Sequence, residues 1–517
     1  MRRCTAISEG DGNAQEYQAG SWNPPIRVKT RLDKAPPGNR AAEPVKVRMY
    51  RQGLGDCFLL SFPKPDGGTF WMMIDCGIIV GTPDAKEIMT SVVDDVATVT
   101  GGRLDVLVIT HEHWDHVSGL LQAADVFKTR LKIDCVWFGW TEDPGNPLAR
   151  KLAAERKRAV QALRMTAQRL HASNSALAGG VSKLLEFFGE SLGVAGGTRT
   201  SDAVRAAGEY SRRAPRYCRP TDPPIVLPEL PGIRFYVLAP PQNEQAIKKS
   251  NPSKRSTETY EEAVAVDANS AFFAAALHNL AGAEDSPFAD KGLVEQSCPF
   301  DISQQVNPEE AKDWPFFHDN YFAEEIAWRK IENQWLEVAS QLALQLDSHT
   351  NNTSLVLAIE LVASGKVLLF AADAQVGSWL SWQDLRWTIK DGNRTETVTG
   401  KELLRRTVLY KVGHHGSHNA TLRELGLEEM NSSELMAMIP VDHDMAVNKR
   451  WNMPFPPLLD RLAQKTRGRI LRIDDKIAAA DRGTPENVPP ALWKEFQQRA
   501  TYRDLYVELS VDNCPGA

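Results

Sequence analysis

A layered α/β fold is what this sequence predicts, on three observations. Short apolar runs bounded by turn residues recur from Val45 onward, stretches of good helix formers separate them, and no segment is apolar for the ~20 residues that a membrane span needs. The elements follow in order. Residues 1–44 are polar, carry Pro24, Pro25, Pro36, Pro37 and Pro44, show no apolar period, and read as a flexible arm. From Val45 the chain alternates (Val45, Val47, Met49), turns at Gly53-Leu54-Gly55-Asp56 and enters the run Cys57 to Phe62. A Pro65-Asp66-Gly67-Gly68 turn leads to Phe70 to Ile74, closed by Asp75-Cys76-Gly77. These are strands joined by tight turns. Leu104 to Ile109, Val136 to Phe138 and Ile233 to Leu238 are further strands, and Ser354 to Leu361, Val367 to Phe370, Val408 to Val412, Leu435 to Ile439 and Ile470 to Ile473 complete the set.

Between about 141 and 350 the character changes, with Leu148, Leu152, Leu163 and Leu170 set in a helix-forming stretch. Its two halves carry opposite charge. Arg150 to Arg219 holds 14 Lys/Arg and 5 Asp/Glu, while Glu258 to Glu337 holds 17 Asp/Glu and 4 Lys/Arg. Either the halves pack together or face solvent, or the basic half is a phosphate-binding surface.

Composition narrows the function classes. Hydrophobic residues make up 42% and charged residues 24% of the 517, the values of an ordinary globular protein, which excludes a mostly disordered, collagenous or membrane-embedded chain. A net charge of −6 removes whole-chain basicity as an argument for nucleic acid. The seven cysteines (Cys4, Cys57, Cys76, Cys135, Cys218, Cys298, Cys514) lie far apart with no CxxC, so neither a disulfide framework nor a cysteine zinc site is indicated. Met1-Arg2-Arg3 has the charges of a signal peptide without its apolar core. The expected location is the cytoplasm.

The chemistry concentrates in His111-Glu112-His113-Trp114-Asp115-His116, an HxHxDH pattern directly after an apolar strand. In extended backbone, residues two apart point the same way, so His111 and His113 can present imidazoles to one metal. The chain then turns into a helix through Val117-Ser118-Gly119, which can aim Asp115 and His116 at a second metal. Three imidazoles and a carboxylate suit zinc or a related divalent ion.

This motif resembles the signature of the metallo-β-lactamase fold superfamily. Gly55-Asp56, Ile74-Asp75-Cys76-Gly77, Asn351-Asn352-Thr353-Ser354-Leu355-Val356-Leu357 and Lys411-Val412-Gly413-His414-His415-Gly416-Ser417 narrow the likeness to the C-terminal metallo-β-lactamase-like domain of ComEC competence proteins, over about 45 to 140 and 350 to 475. The resemblance implies a metallo-β-lactamase-type αββα sandwich formed by residues 45–140 and 351–517, with the site at one edge of the sheets and a large, mainly helical insertion at 141–350 that keeps one core strand near 233–238. It implies a bridging carboxylate, Asp373, after the strand Val367 to Phe370, with Ala372 where a glycine is usual. One of His414 and His415 completes the second metal, His415 being favoured, and the other faces substrate or braces the ligands. No motif marks a third histidine for the first metal. His171, His278, His318 and His349 are the candidates in the interval, and the resemblance places Asn351 and Ser354 near the site instead. Asn452-Met453-Pro454 departs from the His-Pro often found in these domains. Asp56 and Asp75 read as loop caps that brace the metal loop, and Trp114 as packing.

The implied activity is metal-assisted hydrolysis with two divalent ions, zinc first and manganese next, in which Asp115 orients the nucleophile and His414 or His415 donates a proton or hydrogen bond. The implied substrate is a phosphodiester, nucleic acid included, with no membrane partner. The alternatives are a small-molecule esterase, lactonase or phosphorylcholine-type esterase, and, in another class, a metal-stabilised sensor or interaction component of a multiprotein bacterial system. Retention of HxHxDH, Asp373 and the histidine pair argues against the last.

Overall fold

The computed structural model describes residues 43–172, 182, 185–189, 199–249, 306, 308–323, 344–391, 394–449, 451–486 and 488–513. The arm expected over 1–44 and most of the acidic half of the insertion lie outside them, as does His278. Among the described residues no helix is long and apolar enough to cross a membrane.

Two sheets carry the fold. In chain order the strands are β1 (Val45–Tyr50), β2 (Cys57–Pro63), β3 (Thr69–Cys76), β4 (Arg103–Ile109), β5 (Lys132–Gly139), β6 (Arg216–Cys218), β7 (Ile225–Leu227), β8 (Leu230–Ala239), β9 (Val356–Leu361) and β10 (Lys366–Phe370). They continue with β11 (Arg386–Asp391), β12 (Arg394–Thr399), β13 (Thr407–Lys411), β14 (Met436–Ile439), β15 (Ile470–Arg472), β16 (Ala500–Tyr502) and β17 (Tyr506–Val511). The first sheet runs β16-β17-β1-β2-β3-β4-β5-β6, the second β15-β14-β13-β10-β9-β8-β7, and β11-β12 form a separate hairpin.

The strands read as unbroken apolar runs because both of their faces are covered. Along β2, β3 and β4, Phe58, Leu60, Met72, Ile74, Val106 and Val108 point into the core between the sheets. Their neighbours Leu59, Met73 and Leu107 point outward under a helical layer that includes Val92, Val93 and Val96 of α1 (Ala85–Val99). The outer face of the second sheet, with Tyr236, Ala358, Leu369 and Tyr410, is covered by Trp379, Trp382, Leu403 and the Leu458 and Leu462 face of the helix Pro456–Thr466. The layers are helix, sheet, sheet, helix, the αββα arrangement with a helical insertion.

The expected insertion proves to be partly core. Residues 216–218 extend the first sheet as β6, pairing with β5, and residues 225–239 supply β7 and β8 to the second, where β8 pairs with β9. The strand expected at 233–238 therefore belongs to a longer three-strand contribution. The parallel strands β3, β4, β10 and β13 end at a common edge, where Leu355 N donates to Thr110 O across the two sheets. Carboxyl ends of parallel strands are where open α/β sheets place their chemistry.

Candidate metal centre

Each loop leaving that edge delivers a polar side chain. After β4 the backbone stays extended through His113, at φ −107° and ψ 151°, and then forms α2 (Trp114–Val117), so Asp115 and His116 occupy the first turn of a short helix. The loop lies close against its neighbours: Asp56 N donates to Asp115 O at 2.9 Å and Gly77 N to Asp56 O at 3.0 Å. A Cβ on Gly77 would sit 2.2 Å from the Asp115 carbonyl carbon, which is why glycine stands there. After β10, Ala372 takes a left-handed φ of 48° to deliver Asp373. This conformation costs a non-glycine residue ~1–2 kcal/mol and accounts for the glycine expected at that place. His414 and His415, after β13, are left-handed as well, at φ 42° and 52°.

Asp115, His116, Asp373 and His415 converge, each offering one donor atom within 4.8 Å of the others, and all are fully buried. The imidazoles are held from behind. His116 Nδ1 lies 2.8 Å from Asp75 Oδ2, and His415 Nδ1 lies 2.7 Å from Pro440 O. Their Nε2 atoms therefore face inward, His116 Nε2 at 3.1 Å from Asp373 Oδ2 and His415 Nε2 at 2.9 Å from Asp115 Oδ2. Asp75 also accepts from Thr110 N and Thr110 Oγ1, so it braces the loop and one ring together. Asp373 is tied through one oxygen only: Lys411 Nζ lies 3.4 Å and His414 N 3.1 Å from Oδ1, while Ser354 Oγ accepts from Asp373 N at 3.3 Å. Lys411, itself buried, is anchored by Asp56 at 2.5 Å.

Beside this quartet lies a pair. His111 Nε2 and His113 Nδ1 are 3.0 Å apart, and His111 Nδ1 is 3.1 Å from Thr110 Oγ1. His414 stands at the rim of the quartet, its Nε2 4.0 Å from Asp373 Oδ2 and its Nδ1 near Ser417 Oγ and Gln375 Nε2. The structure thus puts His415 in the quartet and His414 next to it.

Burial and charge divide the groups. Burial lowers the His111 pKa well below its usual range, His116 and His113 adding to the effect, and burial brings His113 down to about 3. Burial would lower His116 too, but Asp373, Asp56, Asp115 and Asp75 outweigh it and hold the ring well above its usual value. Asp373 stays well below the usual carboxylate range in spite of burial because His116, His414 and Lys411 surround it.

Residues without a sequence motif complete the surroundings. Phe187 and Phe188, on the turn Glu186–Phe188, place their rings 5.5 and 5.0 Å from His113, and Phe187 stacks on Trp451 at 4.8 Å. The turn is pinned by an ion pair between Glu186 and Lys449 and rests on Trp114, the packing role expected of that ring. Asn351 reaches the site by donating to Asp347 Oδ2 at 3.0 Å. Neither described candidate for a third histidine joins the cluster: His318 is exposed beside Asp319, and His349 interacts with Lys248. The His171 side chain lies outside the described residues. At Asn452-Met453-Pro454 the chain still supports the histidine turn, through Phe455 N donating to Gly416 O and Pro454 packing on Gly416.

Buried atoms without partners test whether a cation fits. Asp115 Oδ1, His116 Nε2 and Asp373 Oδ2 are buried and make no hydrogen bond, and His414 Nε2 beside them is unpaired as well. The 3.1 Å approach of His116 Nε2 to Asp373 Oδ2 lacks hydrogen-bond geometry, and such a contact is what two ligands of one ion show. The donor set, imidazole nitrogens with carboxylates, suits a divalent metal.

Residues 50–146 match the family model of the metallo-beta-lactamase superfamily. No curated protein and no solved structure matches the chain. The αββα layers, the matched segment and the buried His/Asp cluster together support a metal-dependent hydrolase.

Proposed function

We propose that the protein is a binuclear metallohydrolase that cleaves phosphodiesters in the cytoplasm, with zinc or manganese as its ions. The observation that carries this reading is the convergence of buried, unpaired donors at one sheet edge. Each buried polar group without a partner costs about 1–3 kcal/mol, and more if charged, so this set is expensive unless a cation satisfies it. Asp115, His116, Asp373 and His415 would hold one ion, and His111 and His113, with Asp373 shared, would hold the other. When bound, such ions supply Lewis acidity and a nucleophile from water near neutral pH.

The chain's own groups do the rest. Asp75 and Pro440 O fix the tautomers of His116 and His415, and Lys411 holds Asp373 Oδ1 so that Oδ2 stays free. His414 Nε2 is available to donate to a substrate oxygen, and Asp115 Oδ1 to orient the attacking water. Phe187, Phe188 and Trp451 exclude bulk solvent, which strengthens every charge interaction beneath them.

The phosphodiester rests on the likeness to ComEC domains. Two observations favour a compact diester over a polymer. The aromatic cover lies directly over His113 and His414. The basic stretch is also spent on local pairs: Lys151 with Glu244, Arg156 with Glu112 and Glu142, Arg212 with Asp134 and Arg219 with Asp143. The phosphate-binding alternative for that stretch loses Arg156 in particular, because its guanidinium is buried against Glu112 and Glu142.

The test is a metal-reconstituted assay across bis-(p-nitrophenyl) phosphate, p-nitrophenyl phosphorylcholine, single-stranded DNA, RNA and simple esters. Diester cleavage that needs added zinc or manganese and disappears in Asp373→Ala is expected. Efficient ester or lactone cleavage with no diester activity would overturn the substrate, and failure to bind any ion would overturn the enzyme class.

A further inference from the structure

Every metal-facing imidazole has an outer ring nitrogen whose partner decides which nitrogen turns inward. Three of the four in this centre have that partner within hydrogen-bond reach: Asp75 for His116, Pro440 O for His415 and Thr110 Oγ1 for His111, at 2.8, 2.7 and 3.1 Å. His113 is the exception. Its Nδ1 faces His111 Nε2 at 3.0 Å, leaving Nε2 outermost, and that nitrogen is buried with no hydrogen bond.

Opposite it stands Asp347, in a helix whose described part covers residues 344–351, at the end of the insertion. Asp347 is 6% exposed. Asn351 Nδ2 holds its Oδ2 at 3.0 Å, so the side chain is fixed in place, while Oδ1 has no partner and lies 3.8 Å from His113 Nε2. Two buried, unpaired atoms of complementary chemistry face each other across a gap that a ring rotation of under about 1 Å at the nitrogen closes to an ordinary N–H···O distance.

We propose that Asp347 is the positioning residue of His113. Its Oδ1 accepts a hydrogen bond from Nε2–H, fixes the tautomer that turns Nδ1 toward the ion shared with His111, and makes that nitrogen a stronger donor. The core supplies this support for the other three rings; the insertion supplies it for the fourth. The inference rests on the two-ion reading above and deepens it by assigning the support of the first ion to a chain-specific element.

The experiment is a zinc titration of the full-length protein and of Asp347→Ala and Asp347→Asn against a chromogenic chelator, with histidine-selective ¹⁵N spectra of the loaded forms. The metal-free variants are first compared with wild type by thermal melting to confirm folding. Wild type should take two ions. Asp347→Ala should weaken one of them by about 10–100-fold and leave the other unchanged. Asp347→Asn, whose amide oxygen still accepts from Nε2–H, should retain that ion to within a few fold, and His113 should show a protonated Nε2 in wild type and in this variant. Loss of the ion in Asp347→Asn as complete as in Asp347→Ala would overturn the positioning role in favour of direct ligation. Unchanged binding in Asp347→Ala would remove any role, with the two-ion reading intact. Wild type that binds no ion would sink the parent reading, a result distinct from both.

Discussion

The quartet and the histidine pair lie side by side and are built on different terms. Asp115, His116, Asp373 and His415 come from loops after three strands of the two core sheets, and their supports (Asp75, Pro440 O, Lys411, Asp56) are core residues too. His111 and His113 come from one loop, and what surrounds His113 (Phe187, Phe188, Asp347) comes from the insertion. In the quartet, neighbouring charges raise the His116 pKa and lower that of Asp373, favouring their charged forms, whereas burial lowers His111 in the pair and favours the neutral ring. One half of the centre is thus a property of the sheet edge, and the other depends on what this chain has added to it.

The strongest break comes at the shared point. Asp373→Ala should abolish turnover and lower the bound-metal count of both halves, as measured by plasma emission on the desalted protein. His415→Ala should instead empty the quartet and leave the pair's affinity within a few fold, so equal loss at both halves would contradict the division drawn here. Gly77→Ala acts next, by forcing a Cβ into the Asp115 carbonyl at 2.2 Å. Overpacking of this kind costs about 1–3 kcal/mol, and thermal melting should show it together with weakened binding at the quartet.

Acidity sharpens the same contrast. A metal entering the quartet must displace protons from His116 and His415, whose pKa values are both raised, so its affinity should climb with pH until those values are passed. The pair, with His113 down at about 3, has no proton to release near neutrality. Calorimetry at pH 7 in buffers of different ionisation enthalpy should find net proton release for the quartet's ion and none for the pair's. The smallest expected effect is that of Ala372→Gly. Relief of the left-handed φ of 48° offsets the extra chain entropy of glycine, leaving Tm and activity close to wild type, the net change being under about 1 kcal/mol.

Legibility in the sequence followed range. HxHxDH could be read because its donors lie within six residues, and strands β2 to β4 because burial on both faces leaves unbroken apolar runs. β17 was equally open to reading: Tyr506 to Val511 alternates half-buried and buried, the period of a strand with one covered face, and only its distance from the motifs hid it. The hairpin β11-β12 also has a local signal, Asp391-Gly392 between β-branched runs. Asp347 had none, since its meaning depends on a histidine that tertiary packing alone brings near. The role of the basic stretch stayed open in the sequence for a related reason. A count of charges cannot show that Arg156 is already paired with Glu112 and Glu142.

That last pairing bears on whether the protein can be taken apart. Glu112 sits between two of the donor histidines, and its carboxylate is gripped from the insertion by Arg156, on the helix Pro147–Ala172, and by the Thr200 hydroxyl at 2.9 Å. Both charged side chains are nearly buried, at 13% and 10% exposed. Cutting away the insertion to obtain a minimal enzyme, or grafting another in its place, would leave a carboxylate stranded beside the donors, and breaking such a pair costs about 3–5 kcal/mol. The insertion is therefore not modular. A trimmed or chimaeric version has to keep Arg156 and Thr200 or replace Glu112 with an uncharged residue of similar volume, so the second position of the metal motif records which insertion the loop was built to meet.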